Sequence, residues 1–304
     1  MTSLLERAGT QPLGRAKGGE SSPQAVLFLV ALWLCMFVGL VFLVVLLVQT
    51  FIDGLPRLDT ALVTEYSSRL SPEETGFRAA ILGTVWVIGA TALMAIPLGI
   101  AAAIYLEEFA DNNRWYTRLI EVNIQNLAAV PTIIYGLLTL GILSLMQLVL
   151  DFQNRNIVIG GGIALALLIL PVIIIATRES LRAVPAEIRA GSLALGATPW
   201  QTVWKQTLPS AVPGIATGTI IALSRAIGEA APLLLLGAVV FVRFDPNGLL
   251  SGFTTMPVQI YSLVAQPQEA FRTAASAGIV LLLALLLVMN LLAILIRNRF
   301  QRRW

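Results

Sequence analysis

Six long apolar runs constrain this chain more than any other feature. They cover residues 25–48, 81–106, 127–150, 157–177, 211–242 and 274–296. About 20 apolar residues, rising about 1.5 Å each, cross the roughly 30 Å hydrocarbon layer of a bilayer. The expected fold is therefore all-α, a polytopic membrane bundle of six transmembrane helices. Composition agrees: 57% of residues are hydrophobic and 12% charged, with a mean hydropathy of +0.83. A soluble domain carries about twice that share of charge. Residues 1–24, rich in Gly, Ser, Gln and Pro, read as a cytoplasmic tail. Residues 25–300 read as a single transmembrane domain with a cytoplasmic loop at 178–210. The first run exceeds a signal-peptide core of about 7–15 residues, and no Ala-x-Ala site follows it, so it reads as an uncleaved anchor.

The net charge of +3 and the pI near 9.3 come from basic ends flanking apolar spans, so they do not point to nucleic acid. There is no histidine and one cysteine, Cys35. This excludes histidine bases and disulfides within the chain and leaves no basis for a zinc site. Lys and Arg divide unevenly across the expected spans. Thirteen lie on the side of both termini, including Arg114, Arg118, Arg178, Arg182, Arg189, Lys205 and Arg297. Six lie on the other: Arg57, Arg69, Arg78, Arg155, Arg243 and Arg272. Cytoplasmic loops carry the excess, so both termini of this multi-pass chain are expected in the cytoplasm.

The twentieth basic residue, Arg225, falls inside an apolar run, with Glu229 four residues on and Ser224 beside it. An arginine at a bilayer centre costs about 3 kcal/mol on insertion scales, so such charges face protein or a water-filled path. Two readings stand for the pair. It is an internal ion pair at helical spacing, or it lines a translocation path that accepts an anion. The fifth run is also too long for one straight crossing, and Gly228 and Pro232 are expected to bend or break it just after Arg225. Pro97, Pro131 and Pro171 are further candidate kinks. Gly214 and Gly218 share one face for close helix packing.

The 178–210 loop carries the second signal. Gly196 suits a left-handed helix cap. Thr198 can cap a following helix with Pro199 at its first position. Trp200 and Trp204 share a face of that helix, as a membrane-interface anchor or as part of a docking element for a cytoplasmic partner.

This segment resembles the EAA loop of ABC importer permeases. The aligned residues are Ala190, Gly191, Ser192, Gly196, Gln206, Leu208 and Pro209. The spacing is complete. Ala190 stands where the family has glutamate and Gln206 where it has isoleucine; Glu187 lies three residues before Ala190. Residues 100–108, 120–136 and 223–233 are similar to the A-type membrane subunit of phosphate-specific ABC importers (the PstA family). Together with the loop, the resemblance covers roughly residues 80–235.

The resemblance implies a type I importer permease fold and a translocation subunit that is not itself an enzyme. The implied partners are a C-type permease subunit, two ATP-binding subunits and a periplasmic or lipid-anchored phosphate-binding protein, with membrane lipid around them. It implies no cofactor or metal in this chain. The chain has no Gly-x-x-x-x-Gly-Lys-Ser/Thr, and Gly160–Gly162 lie in an apolar run without a lysine, so ATP would be used by the partner subunits. Ala190, Gly191, Ser192, Gly196, Leu208 and Pro209 would then couple to those subunits, and Arg225, Glu229 and Ser224 would line the substrate path. A permease for another oxyanion (sulfate or molybdate) is the nearest alternative. A non-transporting scaffold or a channel is the alternative of a different class.

Overall fold

The computed structural model describes residues 23–111, 114–150, 156–238 and 241–300. The expected tail up to residue 22 lies outside the described residues. Twelve α-helices follow among them: α1 (Pro23–Gly54), α2 (Ala61–Thr64), α3 (Arg78–Ile104), α4 (Trp115–Ala128), α5 (Thr132–Leu150), α6 (Val158–Arg182), α7 (Ala186–Ala194), α8 (Pro199–Thr202), α9 (Leu208–Gly228), α10 (Ala231–Leu235), α11 (Met256–Val264) and α12 (Glu269–Phe300). No strand occurs among the described residues. Five helical stretches are long and apolar enough to cross a membrane, and the bent pair α4–α5 makes a sixth.

The chain divides into two units after Gln49. In the first, the described side chains of residues 25–49 of α1 are exposed, a pattern suited to lipid. The second holds the remaining elements. Its centre is α6, packed along α3 on one side and α9 on the other. Small residues allow the approach. A Cβ on Gly162 would lie 2.9 Å from the Ala90 Cβ, and one on Gly218 would clash with the Ala176 Cβ. The Gly160–Gly162 run is therefore a packing surface of α6, with Gly161 closed by the Phe253 ring. At these contacts small side chains give van der Waals packing, which holds helices together where no hydrophobic drive separates them from lipid.

The prolines divide into two kinds. Pro97 and Pro171 sit inside continuous helices. Pro131 lies in the break between α4 and α5, where the chain turns through 109°, and Pro232 lies just past the break between α9 and α10. The expected break after Arg225 is present. The fifth run ends earlier than expected, however: helix stops at Gly228 and resumes only over Ala231–Leu235, not through residue 242. The expected third run, 127–150, is likewise interrupted: its first two residues end α4, and helix resumes at Thr132 after the bend. The 178–210 loop is mostly helical. α6 continues to Arg182, and α8, a π-helical turn (Val203–Thr207) and α9 form one stretch from Pro199 to Gly228. A second π-helical turn, Tyr105–Phe109, ends α3.

The short helix α11 was not anticipated. Seven of its nine residues are buried, against α3 and α12. Its nine residues are too few to read as a span, and its pattern is merged with that of the apolar residues around it.

Candidate functional site

Both helix breaks meet at one place. A Cβ on Gly136, near the start of α5, would lie 2.8 Å from the Pro232 carbonyl oxygen, so α5 and α10 touch where each resumes after its break. Tyr135 is buried, its hydroxyl donates to the Leu127 carbonyl at 2.6 Å, and Arg225 lies within its electrostatic reach. The Leu127 carbonyl also accepts from the Val130 N–H at 3.1 Å, so the Tyr135 bond adds a second link across the bend between α4 and α5. Thus the matched segments 120–136 and 223–233, nearly a hundred residues apart, form a single site.

Arg225 and Glu229 do not share a helix face as expected. Helix α9 ends at Gly228, and Glu229 is its C-cap, with φ −83° and ψ 121°. The carboxylate still reaches back: Arg225 Nε lies 3.7 Å from Glu229 Oε1. This is ion-pair range but longer than a hydrogen bond. The Arg225 side chain is 47% exposed and Glu229 21%. Glu229 borders a narrow void with Thr84, Val87, Ile88, Leu165 and Thr255. Thr84, Val87 and Ile88 lie six to ten residues past the start of α3 and Leu165 seven past the start of α6, on the order of 9–15 Å along each helix at about 1.5 Å per residue. Glu229 therefore sits well inside the helix bundle, with the half-exposed Arg225 side chain beside it.

Ser224 is turned elsewhere. Its Oγ lies 2.6 Å from Asn290 Oδ1 on α12 and 2.8 Å from the Ile220 carbonyl. Arg297 donates to Thr217 Oγ1 at 2.9 Å. These two polar contacts staple α12 to α9. Asn290 was not singled out from sequence, because a lone asparagine in an apolar run says nothing about its partner.

At the opposite end of α6 the 178–210 region forms a helix–turn–helix. Gly196 has φ +84°, a left-handed conformation that costs other residues about 1–2 kcal/mol. Thr198 Oγ1 accepts from Gln201 N, and Gln201 Oε1 accepts from Thr198 N, a reciprocal cap with Pro199 at the first position. The Ser192 and Thr202 hydroxyls, 2.9 Å apart, join the two helices. Trp200 packs on Trp204 and on Phe109 of the α3 π-turn.

An open groove of about 430 Å³ runs along this element. It is lined by Gly191, Ser192, Leu195 and Gln206, with Glu187 at its edge. Leu195 is 91% exposed, an apolar side chain without cover. Ala190, Gly196 and Pro209 are exposed around the turn. Leu208 instead packs inward against the cluster of Ile104, Leu181 and Val203.

An ionic network that sequence reading missed joins the ends of α3 and α6 to α4 and α7. Arg178 donates to Glu107 (3.1 Å) and Glu121 (2.6 Å), and Arg182 to Glu107 (2.8 Å). Arg189 of α7 donates to Glu108 (2.8 Å) and to the Leu181 and Val184 carbonyls (2.7 and 2.8 Å). It thereby ties α7 to the end of α6 and to the α3 π-turn. In the sequence these arginines served only to mark the cytoplasmic side; their acidic partners lie 57 to 81 residues away.

This arrangement of spans, broken helices and helix–turn–helix matches known proteins. Residues 95–304 match the family described as binding-protein-dependent transport system inner membrane component. The probable ABC transporter permease YqgI of Bacillus subtilis is 32% identical over 272 residues, covering 86% of this chain and 90% of that protein. The phosphate transport system permease protein PstA of Yersinia pestis is 31% identical, covering 85% and 84%. PstA 1 of Mycobacterium tuberculosis is 33% identical, covering 75% and 72%. In fold, the chain is similar to a structure of the MetNI methionine ABC transporter in inward-facing conformations, with a TM-score of 0.55 and 19% identity over 74% of this chain and 97% of that one. A second similar fold is a bacterial ABC transporter that imports alginate, with a TM-score of 0.54 and 16% identity over 74% and 80%. The chain belongs to the binding-protein-dependent inner membrane component family, as an ABC importer permease of the PstA family.

Proposed function

We propose that this chain is the membrane permease subunit of an ATP-driven importer that moves inorganic phosphate into the cytoplasm by alternating access. The observation that carries the reading is Arg225, half-exposed on the single chain within the candidate span Pro199–Gly228. Lipid is a costly neighbour for that guanidinium, so another protein surface covers it. A C-type permease subunit supplies that surface, and the path runs between the two chains. The chemistry around Arg225 suits an oxyanion held loosely: one guanidinium damped by Glu229 binds well enough to admit phosphate and weakly enough to release it. The phosphate-transport relatives support phosphate as the anion.

ATP is hydrolysed on two separate subunits docked at the 187–209 element, with both termini on that cytoplasmic side. The Leu195 groove and its rim of Ala190, Gly191, Ser192 and Gly196 receive them, while Leu208 and Pro209 pass the motion into α9. Arg189 passes it to α6 and α3. A phosphate-binding protein docks on the opposite face, chiefly on 50–78 and 243–273. Residues 25–300 act as one transmembrane permease domain behind the 1–24 tail. Ser224 serves the path by fixing α9 against α12 beside Arg225.

The test is Arg225→Gln in a complex reconstituted with candidate partners. Phosphate uptake is expected to fall to background while the ATP-binding subunits still co-purify. Unimpaired uptake would sink the path role. Competition by sulfate and molybdate in the same vesicles separates phosphate from other oxyanions.

A further inference from the structure

Thr255 is 2% exposed, and its hydroxyl has no hydrogen-bond partner. It precedes α11 and borders the same narrow void as Glu229. That void has no room for a water molecule in this conformation. A buried hydroxyl without a partner costs free energy that a methyl group of the same shape would not. The resting fold therefore gains nothing from oxygen at this position.

Glu229 is the complementary group, and it is loosely held. It sits in the break between α9 and α10, outside any helix, and its contact with Arg225 exceeds hydrogen-bond length. Gly228 next to it carries no Cβ, so its backbone torsions are less restricted than those of any other residue type. The carboxylate has two lone-pair oxygens and the threonine one donor proton.

We infer that Glu229 exchanges partners during transport: it leaves Arg225 and accepts a hydrogen bond from the Thr255 hydroxyl, which frees the Arg225 guanidinium for the oxyanion. The inference rests on the proposed path role of Arg225 and makes Thr255 a positioning residue for it. Thr255 acts through Glu229 and need not touch the substrate. In the resting state the ion pair keeps Arg225 neutralised. In the other state Thr255 stabilises the carboxylate away from the cation, and phosphate meets the guanidinium without a competing negative charge beside it.

The experiment compares Thr255→Val, Thr255→Ser and Thr254→Val with wild type in the reconstituted complex, reading phosphate uptake and the melting temperature in detergent. Thr254 carries an equally unpartnered buried hydroxyl but does not border the void. Thr255→Val is expected to melt no lower than wild type, yet take up phosphate about tenfold more slowly, the effect of one lost hydrogen bond to a charged group. Thr255→Ser is expected to keep near-wild-type uptake, and so is Thr254→Val. Full uptake by Thr255→Val, alongside loss in Arg225→Gln, overturns the exchange and leaves the path role standing. A lowered melting temperature for Thr255→Val also overturns it, because the hydroxyl would then already be used in the resting fold. If Arg225→Gln itself transports normally, the path reading fails first and the exchange fails with it.

Discussion

Arg178 is enclosed by two carboxylates, and its side chain is only 9% exposed. Removing one partner of a buried ionic cluster costs about 3–5 kcal/mol, because the charge left behind is poorly solvated. Arg182 stays within 4 Å of both Glu107 and Glu121, which places Arg178→Met toward the lower end, about 3 kcal/mol. The change should appear as a clear drop in melting temperature in detergent; Arg182→Met, at a 45% exposed side chain, should cost less. At this scale the sequence was informative about Arg225 and silent about Arg178. A charge inside an apolar run is conspicuous by its neighbours. Arg178 sits at the end of such a run, where a solvated arginine and a buried one look alike, and Glu107 and Glu121 are brought to it only by helix packing. Ser224 shows the converse: adjacent to Arg225 in sequence, it points to Asn290.

Helix breaks and turns were the most legible elements. The caps of the α7–α8 turn followed from local chemistry, since Gly196, Thr198 and Pro199 each meet a backbone need within a few residues. Gly196→Ala should strain that turn by about 1–2 kcal/mol, with little effect on the global fold because the turn is exposed. On the proposed coupling role, phosphate-stimulated ATP hydrolysis in proteoliposomes should fall while the basal rate persists; unchanged stimulation would argue against coupling through this turn. Prolines were legible only in part. Pro97 and Pro171 look the same in sequence as Pro131 and Pro232, yet the first two lie in continuous helices and the last two at breaks. Neighbouring helices decide whether the backbone group freed by a proline finds a new partner. The helix α4 and the buried α11 were missed for a related reason. α4 is amphipathic and α11 is nine residues long, so neither reads as a span.

Across the whole molecule, the face opposite the α7–α8 element is held by a pair 167 residues apart: Arg78, at the start of α3, bonds Asp245 through Nε and Nη2, the shortest distance being 2.6 Å. The hydrogen bond from Arg78 holds the Asp245 carboxyl below its ordinary value. A depressed folded value means that the stabilisation is present above the unfolded pKa, about 3.9, and is lost as pH falls toward the folded one. Proteolysis of the 241–255 segment should therefore accelerate below about pH 4, and Asp245→Asn should open it at neutral pH and flatten the dependence. Local sequence was enough for the membrane class, the presence of several apolar spans, the break after Arg225 and the family, because span length, charge placement and cap residues act over one to thirty neighbouring positions. Only the tertiary structure decided that the two broken helices meet at Gly136 and Pro232, that Glu229 leaves the helix face of Arg225, that Ser224 binds α12 and that Arg189 joins α7 to α6 and α3. Those facts depend on which helix packs against which, and small residues such as Gly162 and Gly218 set that packing by steric fit between positions far apart in the chain.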